Sequence, residues 1–149
     1  MPRLIVLNGA PGCGKSTIAR MYAEDHPLAL NLDVDRIRDL IGRWEEQAYE
    51  AGLHARAIAL AAADVHLLSG RDVVVPQFLG RPEFAEQLEE LAGLADAEFH
   101  EIVLMCAGGR PRDQLAALEC RPGAQRIESR DGDPAGTYQA VLSVIGSRR

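Results

Sequence analysis

The sequence predicts an α/β protein, a three-layer α/β/α sandwich built on a mostly parallel sheet of about five strands. Short apolar runs alternate with longer segments of helical periodicity, and the first apolar run leads straight into the glycine-rich stretch "GAPGCGKST". The chain has 149 residues, of which 47% are hydrophobic, so we expect one domain covering residues 1–149.

The first elements follow from apolar runs and their breaks. Leu4 to Leu7 is a continuous apolar run ended by Asn8-Gly9, which is typical of a strand buried on both faces of a parallel sheet. From Lys15 to about Glu24 the residues favour a helix. The apolar segment Leu28 to Leu32 predicts a second strand, and a short helix is expected over Arg36 to Ile41.

An alanine-rich stretch from about Gln47 to Leu68 predicts a long helix. One face should pack on the sheet, and the apolar residues that recur at helical spacing predict which face it is. These residues are Leu53, Ala57, Leu60, Ala61, Val65 and Leu68.

The second half continues the alternation of strands and helices. The segment "SGRDVVVPQF" predicts a turn and a strand, and Pro82 opens a helix. The core stripe of that helix is expected at Phe84, Leu88, Leu91 and Ala95. "FHEIVLMC" predicts the next strand. Residues 108 to about 132 are rich in arginine, proline and glycine, and Pro134 to Ile145 predicts a final helix.

Charge and cysteine content limit the partners and the compartment. The net charge of −6 and the pI of about 5.2 argue against a broad basic surface for duplex nucleic acid. Cys13, Cys106 and Cys120 form no C-x-x-C pair and are odd in number, so they suit neither a disulfide framework nor a zinc site. With no secretory signal and no membrane-length apolar stretch in view, we expect a cytoplasmic protein without a membrane partner.

The glycine-rich stretch fits the phosphate-loop pattern G-x-x-x-x-G-K-[ST]. Lys15 is the only lysine among 16 Lys and Arg residues, and a slim ammonium reaches β- and γ-phosphates where a guanidinium is too bulky. Ser16 would bind Mg²⁺ through its hydroxyl. The predicted nucleotide-binding residues are Gly9, Gly12, Cys13, Gly14, Lys15, Ser16 and Thr17.

Acidic residues follow the second predicted strand in "NLDVDRIRDL". Asp33 and Asp35 would lie at the carboxyl edge of the sheet, where open α/β proteins bind ligands. A hydroxyl acceptor needs a carboxylate that orients it and takes its proton. Either aspartate could instead serve only as the N-cap of the following helix.

Together with D-x-x-R at Asp35 to Arg38 and a late arginine-rich segment, the phosphate loop makes the chain resemble the small P-loop kinases. This family includes polynucleotide 5′-hydroxyl kinases, chloramphenicol phosphotransferase, gluconate kinases and zeta-type toxins. The resemblance implies a nucleoside-monophosphate-kinase-like P-loop fold with a helical lid, here about residues 108–132. It also implies that Asp35 acts as general base and that Arg38 binds the acceptor, while Asp33 could help to hold Mg²⁺ through water.

The family resemblance further implies lid arginines that neutralise charge on the transferring phosphoryl group. Arg121 and Arg126 are the candidates here, with Arg110, Arg112 and Arg130 behind them. One position departs from the common pattern, because Gln77 follows the third strand where many P-loop enzymes carry an aspartate. Gln77 could hydrogen-bond the acceptor or merely satisfy a loop.

The sequence therefore favours an ATP- and Mg²⁺-dependent kinase that transfers the γ-phosphate to a hydroxyl of a small-molecule acceptor. The acidic surface supports a small molecule, whereas D-x-x-R favours a polynucleotide 5′-hydroxyl as the alternative acceptor. A nucleotide-binding regulatory NTPase is the alternative of another class, and Gln77 is its main support. An N-K-x-D-like motif for guanine is absent from the sequence, because Lys15 is the sole lysine.

Overall fold

The structure is a computed structural model that describes residues 1–77, 82–106, 121 and 123–146. Within the described residues, five strands form one parallel sheet in the order β2-β3-β1-β4-β5. The three-layer α/β fold predicted from the sequence is confirmed. The strands are β1 (Arg3–Gly9), β2 (Leu30–Asn31), β3 (Val73–Pro76), β4 (Glu98–Met105) and β5 (Gln125–Glu128).

Helices cover both faces of this sheet, and most of their bounds agree with the prediction to within two residues. A short 3-10 turn at Trp44–Gln47 precedes α3, the longest helix in the part of the chain that the structure describes. The helices are α1 (Lys15–Asp25), α2 (Val34–Asp39), α3 (Ala48–Leu68), α4 (Glu83–Leu94) and α5 (Pro134–Ile145).

The central strand β1 is buried on both faces, as its continuous apolar run predicts. Leu4 and Val6 face the core that α3 and α4 cover, whereas Ile5 and Leu7 face the core of α1 and α5. Because successive side chains of a strand point to opposite faces, this one strand joins the two cores.

The predicted core face of α3 is wrong, although the predicted stripe of α4 is confirmed. The buried residues of α3 are Ala51, Ala55, Ala59, Ala63 and Leu67, spaced four apart. Among the residues predicted to be buried, Val65 and Leu68 are exposed by 70% and 66%. Small side chains let the helix approach its neighbours closely, so shape decides the buried face here and hydropathy does not.

The predicted lid extends too far towards the C-terminus. Gln125–Glu128 forms β5, which pairs with β4 at the edge of the sheet. Only Ile127 of this strand is buried, so its sequence lacks the apolar run that marks the other strands. Most of the remaining predicted lid, residues 108–120 and 122, lies outside the described residues.

Within the described ranges, the stretch Trp44–Leu68 is long and apolar enough to cross a membrane by length and composition. The expectation that no such stretch exists is therefore wrong on this criterion. A core helix of a soluble protein meets the same criterion, and α3 buries its alanine stripe against the rest of the fold. The finding is weak evidence for a membrane.

Replacing Ala59 by leucine should destabilise the fold, since Ala59 is fully buried. Overpacking a close-packed core costs about 1–3 kcal/mol. Ala57→Leu is the matched control, because Ala57 lies exposed on the same helix and surface changes usually stay within about 0.5 kcal/mol. Urea unfolding of both variants measures the difference, and equal unfolding free energies would contradict the assigned face.

Candidate functional site

The site begins where β1 and β4 leave the sheet side by side. Gly9, the last residue of β1, pairs with Leu104. A Cβ atom on Gly9 would lie 2.7 Å from the carbonyl oxygen of Leu104, a distance that real Cβ atoms do not tolerate. Glycine is therefore required at this position for the backbone of β4 to approach so closely.

The phosphate loop runs from Gly9 into α1. Gly14, the N-cap residue of α1, has a φ of 87°, a left-handed conformation that glycine adopts readily. Within the loop, the amide of Cys13 donates to the carbonyl oxygen of Ala10 at 3.2 Å. The N–H groups at the start of an α-helix and the helix dipole favour an anion, so the start of α1 suits a phosphate.

Lys15 lies across the loop that it is predicted to serve. Its Nζ donates to the carbonyl oxygens of Gly9 at 2.7 Å and of Ala10 at 2.9 Å. Burial lowers the pKa of Lys15, and the carboxylate of Asp35 opposes that shift. Asp35 follows β2 whereas the loop follows β1, so this pKa depends on residues that follow two different strands.

A cavity of about 200 Å³ opens beside the loop. On one side it is lined by Gly12, Cys13, Gly14 and Thr17, four of the predicted nucleotide-binding residues. The segment after β5 forms the opposite wall with Ser129, Arg130, Asp131, Gly132, Pro134 and Thr137. Ser16, the predicted Mg²⁺ ligand, is exposed at the start of α1.

Sequence reasoning missed Ser129 and Thr137 on the far wall. The Ser129 hydroxyl donates to the carbonyl oxygen of Cys13 at 2.8 Å, and Thr137 is buried. Both residues follow the carboxyl end of β5, where ligands of open α/β sheets bind, so they could have been predicted only if β5 had been recognised in the sequence.

At the exit of β2, Asp33 is the N-cap of α2 and accepts a hydrogen bond from the amide of Asp35 at 3.0 Å. Of the two roles left open for these aspartates, the cap therefore falls to Asp33. The cap also explains why α2 begins at Val34, two residues before the predicted start.

Asp35 and Arg38, the predicted base and the predicted acceptor ligand, lie together on α2. The Nη1 atom of Arg38 is 3.6 Å from a carboxylate oxygen of Asp35, whose side chain is 59% exposed. The other arm of the guanidinium lies 3.8 Å from Asp39. The guanidinium also stacks over Trp44, with its carbon 4.1 Å from the ring centroid.

Three buried polar atoms have no hydrogen-bond partner in the part of the chain that the structure describes. They are Asn31 Oδ1, Arg38 Nε and Gln77 Oε1. Asn31 is the last residue of β2, and Gln77 follows β3 as predicted. The backbone N–H of Gln77 donates to the carbonyl oxygen of Leu7 at 3.0 Å. Buried polar groups are usually paired, so these atoms are candidates to bind a ligand or water.

The candidate lid arginines are separated in the structure. The guanidinium of Arg121 binds the buried carboxylate of Glu101 at 3.0 Å and contacts Glu89 on α4. Arg126 is exposed on the edge strand β5. Arg130, a reserve candidate, lines the cavity beside the phosphate loop. Arg110 and Arg112 lie outside the described residues.

The expectation that the cysteines form no disulfide is wrong. Cys13 and Cys106 are bonded, with their Cα atoms 5.5 Å apart. They are separated by 93 residues in sequence, so no local spacing reveals the pair. Because β1 pairs in parallel with β4, the carboxyl ends of the two strands lie side by side, and the two cysteines that follow them come within bonding distance.

Comparison with known proteins shows the family to which the chain belongs. Residues 4–130 match the model of a family described as AAA domain. The chain belongs to this AAA-domain family. No curated protein matches its sequence at a significant level.

Solved structures share the fold of this AAA domain over nearly its whole length. A candidate kinase from Chloroflexus aurantiacus is 18% identical, with a TM-score of 0.71 and coverage of 97% of this chain and 96% of the other. A gluconokinase from Sinorhizobium meliloti is 20% identical, with a TM-score of 0.61 and coverage of 97% and 93%. An APS kinase from Mycobacterium tuberculosis is 19% identical, with a TM-score of 0.59 and coverage of 98% of each chain. The AAA domain thus has a kinase-like P-loop fold, and the resemblance to small P-loop kinases is confirmed.

Replacing Lys15 by methionine should weaken ATP binding at least about tenfold, because the ammonium is the positive charge built into the loop. Arg20→Met is the matched control, since it removes one positive charge from an exposed position of the same helix. Isothermal titration with a non-hydrolysable ATP analogue measures both affinities. Equal losses in the two variants would show that general charge, and not the loop lysine, controls binding.

Proposed function

We propose that this AAA domain is an ATP-dependent phosphotransferase that transfers the γ-phosphate to a hydroxyl of a small-molecule acceptor. The nucleotide would bind with its phosphates in the loop from Gly9 to Thr17. Lys15 and the loop amides would hold the β- and γ-phosphates. The cavity between the loop and Ser129 to Thr137 is the adjoining space for the rest of the nucleotide.

One observation carries the proposal: the phosphate loop follows β1 and Asp35 follows β2, and these parallel strands of one sheet end at the same edge. A base for an acceptor hydroxyl must stand close to the phosphoryl group that the lysine holds. We assign this role to Asp35, which follows β2 at that edge, has a side chain that is 59% exposed and carries a charge that raises the pKa of Lys15. In this role Asp35 would orient the hydroxyl and take its proton as the oxygen attacks phosphorus.

Magnesium fits the chemistry of this site. Mg²⁺ prefers oxygen ligands, keeps several waters and is usually held by one or two protein groups together with substrate phosphates. Ser16 supplies an exposed hydroxyl beside Lys15, and Asp33 is the second candidate, through water. When bound with the nucleotide, the ion would neutralise phosphate charge.

The acceptor would be held by groups around α2 and the end of β3. Arg38 is fixed by Asp35, Asp39 and Trp44, yet its Nε is buried without a partner among the described residues. The Oε1 atom of Gln77 is likewise buried and has no hydrogen-bond partner among the described residues. These groups suit a small polar acceptor that both donates and accepts hydrogen bonds.

The remaining roles stay predictions. To neutralise charge on the phosphoryl group, Arg121 would have to leave its ion pair with Glu101, and Arg126 would have to move from its exposed position on β5. Arg130 is the alternative, because it already lines the cavity beside the loop. We also propose a cytoplasmic location for the enzyme. The acidic net charge of −6 supports a small molecule over a nucleic acid as acceptor.

Replacing Asp35 by asparagine should lower kcat by about 10²- to 10⁴-fold, the usual contribution of a general base. ATP affinity should change little, since the loop remains intact. Asp39→Asn is the matched control, because Asp39 is a similarly exposed carboxylate of the same helix and contacts the same arginine. The assay follows label from γ-labelled ATP into a pool of hydroxylated small molecules or into a 5′-hydroxyl oligonucleotide.

The assay separates the alternative functions. Label on a small molecule supports the proposal, and label on the oligonucleotide would replace the acceptor class. If label appears only as free phosphate, at a rate that Asp35→Asn does not change, the regulatory NTPase is favoured. The substitution of Gln77 for the usual aspartate makes that outcome worth testing.

A further inference from the structure

The disulfide joins the phosphate loop to the residue that follows β4. Cys13 is the fifth residue of the loop pattern that begins at Gly9, and Cys106 comes directly after β4. The bond therefore ties the middle of the loop to the exit of the neighbouring strand. The site described so far uses neither sulfur in its chemistry.

The two sulfur-bearing residues differ in access. Cys13 is only 1% exposed and packs in the core among Ala10, Ile18 and Leu104. Cys106 is half-buried at the edge of that core. A reagent in solution thus meets Cys106 first. In the proposed function the loop binds phosphate through main-chain N–H groups, so the sulfur of Cys13 takes no part in that binding.

The bond adds to contacts that already fix the loop around Cys13. The amide of Cys13 donates to Ala10, and its carbonyl oxygen accepts from the Ser129 hydroxyl at 2.8 Å. Hydrogen bonds thus hold both the amide and the carbonyl oxygen of Cys13. A covalent tie at the same residue narrows the range of loop conformations and so reduces the entropy lost when a ligand binds.

We propose that Cys13 and Cys106 form a thiol–disulfide exchange site whose oxidised form holds the loop ready for a nucleoside triphosphate. The nucleotide part of this inference rests on the proposed function. The co-reactant is a low-molecular-weight disulfide, RSSR. The Cys106 thiolate attacks one sulfur of RSSR and releases RSH; the Cys13 thiolate then attacks the Cys106 sulfur and releases the second RSH.

In the overall exchange two cysteine thiols are oxidised to one disulfide, RSSR is reduced to two thiols, and the two protons of the cysteines end on those thiols. The reverse exchange, with excess RSH, restores the dithiol form. Each direction begins with an attack that involves the sulfur of Cys106, the more accessible of the two residues.

The test equilibrates the full chain in buffers of oxidised and reduced glutathione and makes three measurements. Intact mass with peptide mapping reports the disulfide. Hydrogen exchange reports the protection of the peptide that covers residues 9–17. Titration with a non-hydrolysable ATP analogue reports affinity. Cys106→Ser removes the exchange, and Cys120→Ser is the matched control at a cysteine outside the described residues.

For the wild type and Cys120→Ser we expect a Cys13–Cys106 disulfide in the oxidised buffer, slower exchange of the loop, and ATP affinity about tenfold higher than in the reduced buffer. That ratio corresponds to the ordering of about one residue's backbone. Cys106→Ser should show no redox response and should resemble the reduced wild type in both loop exchange and affinity.

The proposal is overturned if glutathione disulfide does not form the bond, if loop exchange is the same in both buffers, or if the reduced chain binds the analogue at least as tightly. If neither form binds the analogue, the proposed function fails and the affinity step of this inference fails with it. Mass and hydrogen exchange still decide in that case whether the exchange site controls the loop.

Discussion

The close contact between Gly9 and Leu104 is the constraint on which the site depends. Parallel strands leave a sheet at the same edge, and the lack of a side chain at Gly9 lets β1 and β4 run together up to that edge. The phosphate loop starts from this contact, and Lys15 folds back onto the carbonyl oxygens at its base. The same contact brings Cys106 beside Cys13. A larger residue at position 9 would therefore disturb the lysine, the loop and the disulfide together.

Electrostatics then links the loop to the neighbouring strand exits. Lys15 is partly buried, which lowers its pKa, and Asp35 on α2 counters the effect. Asp33 makes this possible by capping α2, which sets where the helix begins and hence where Asp35 and Arg38 project. A local hydrogen bond thus positions the groups that would meet an acceptor. Asp33 caps the helix, and Asp35 is the aspartate proposed to act on an acceptor.

Sequence patterns predicted the elements better than their packing. The strand β1, the loop and α5 follow from apolar runs, glycine spacing and proline placement, which are local properties. The buried face of α3 does not follow from such local properties. The helix packs closely through small residues such as Ala59, while the more apolar Val65 is exposed. The strand β5 was hidden because Ile127 is its only buried residue. The disulfide depends on a contact between residues 93 positions apart, which no local pattern encodes.

The disulfide and the proposed phosphate site use different atoms of the loop. The groups of the loop that would bind phosphate are main-chain N–H groups, and the side chain of Cys13 packs in the core. A phosphate-binding segment with irregular backbone and φ above zero at Gly12 and Gly14 has little regular hydrogen bonding to stabilise it. Support must come from neighbours, and here the carbonyl oxygen of Cys13 is held by Ser129. The covalent bond to Cys106 supports the same residue from the core side, so its loss would be felt first in the loop.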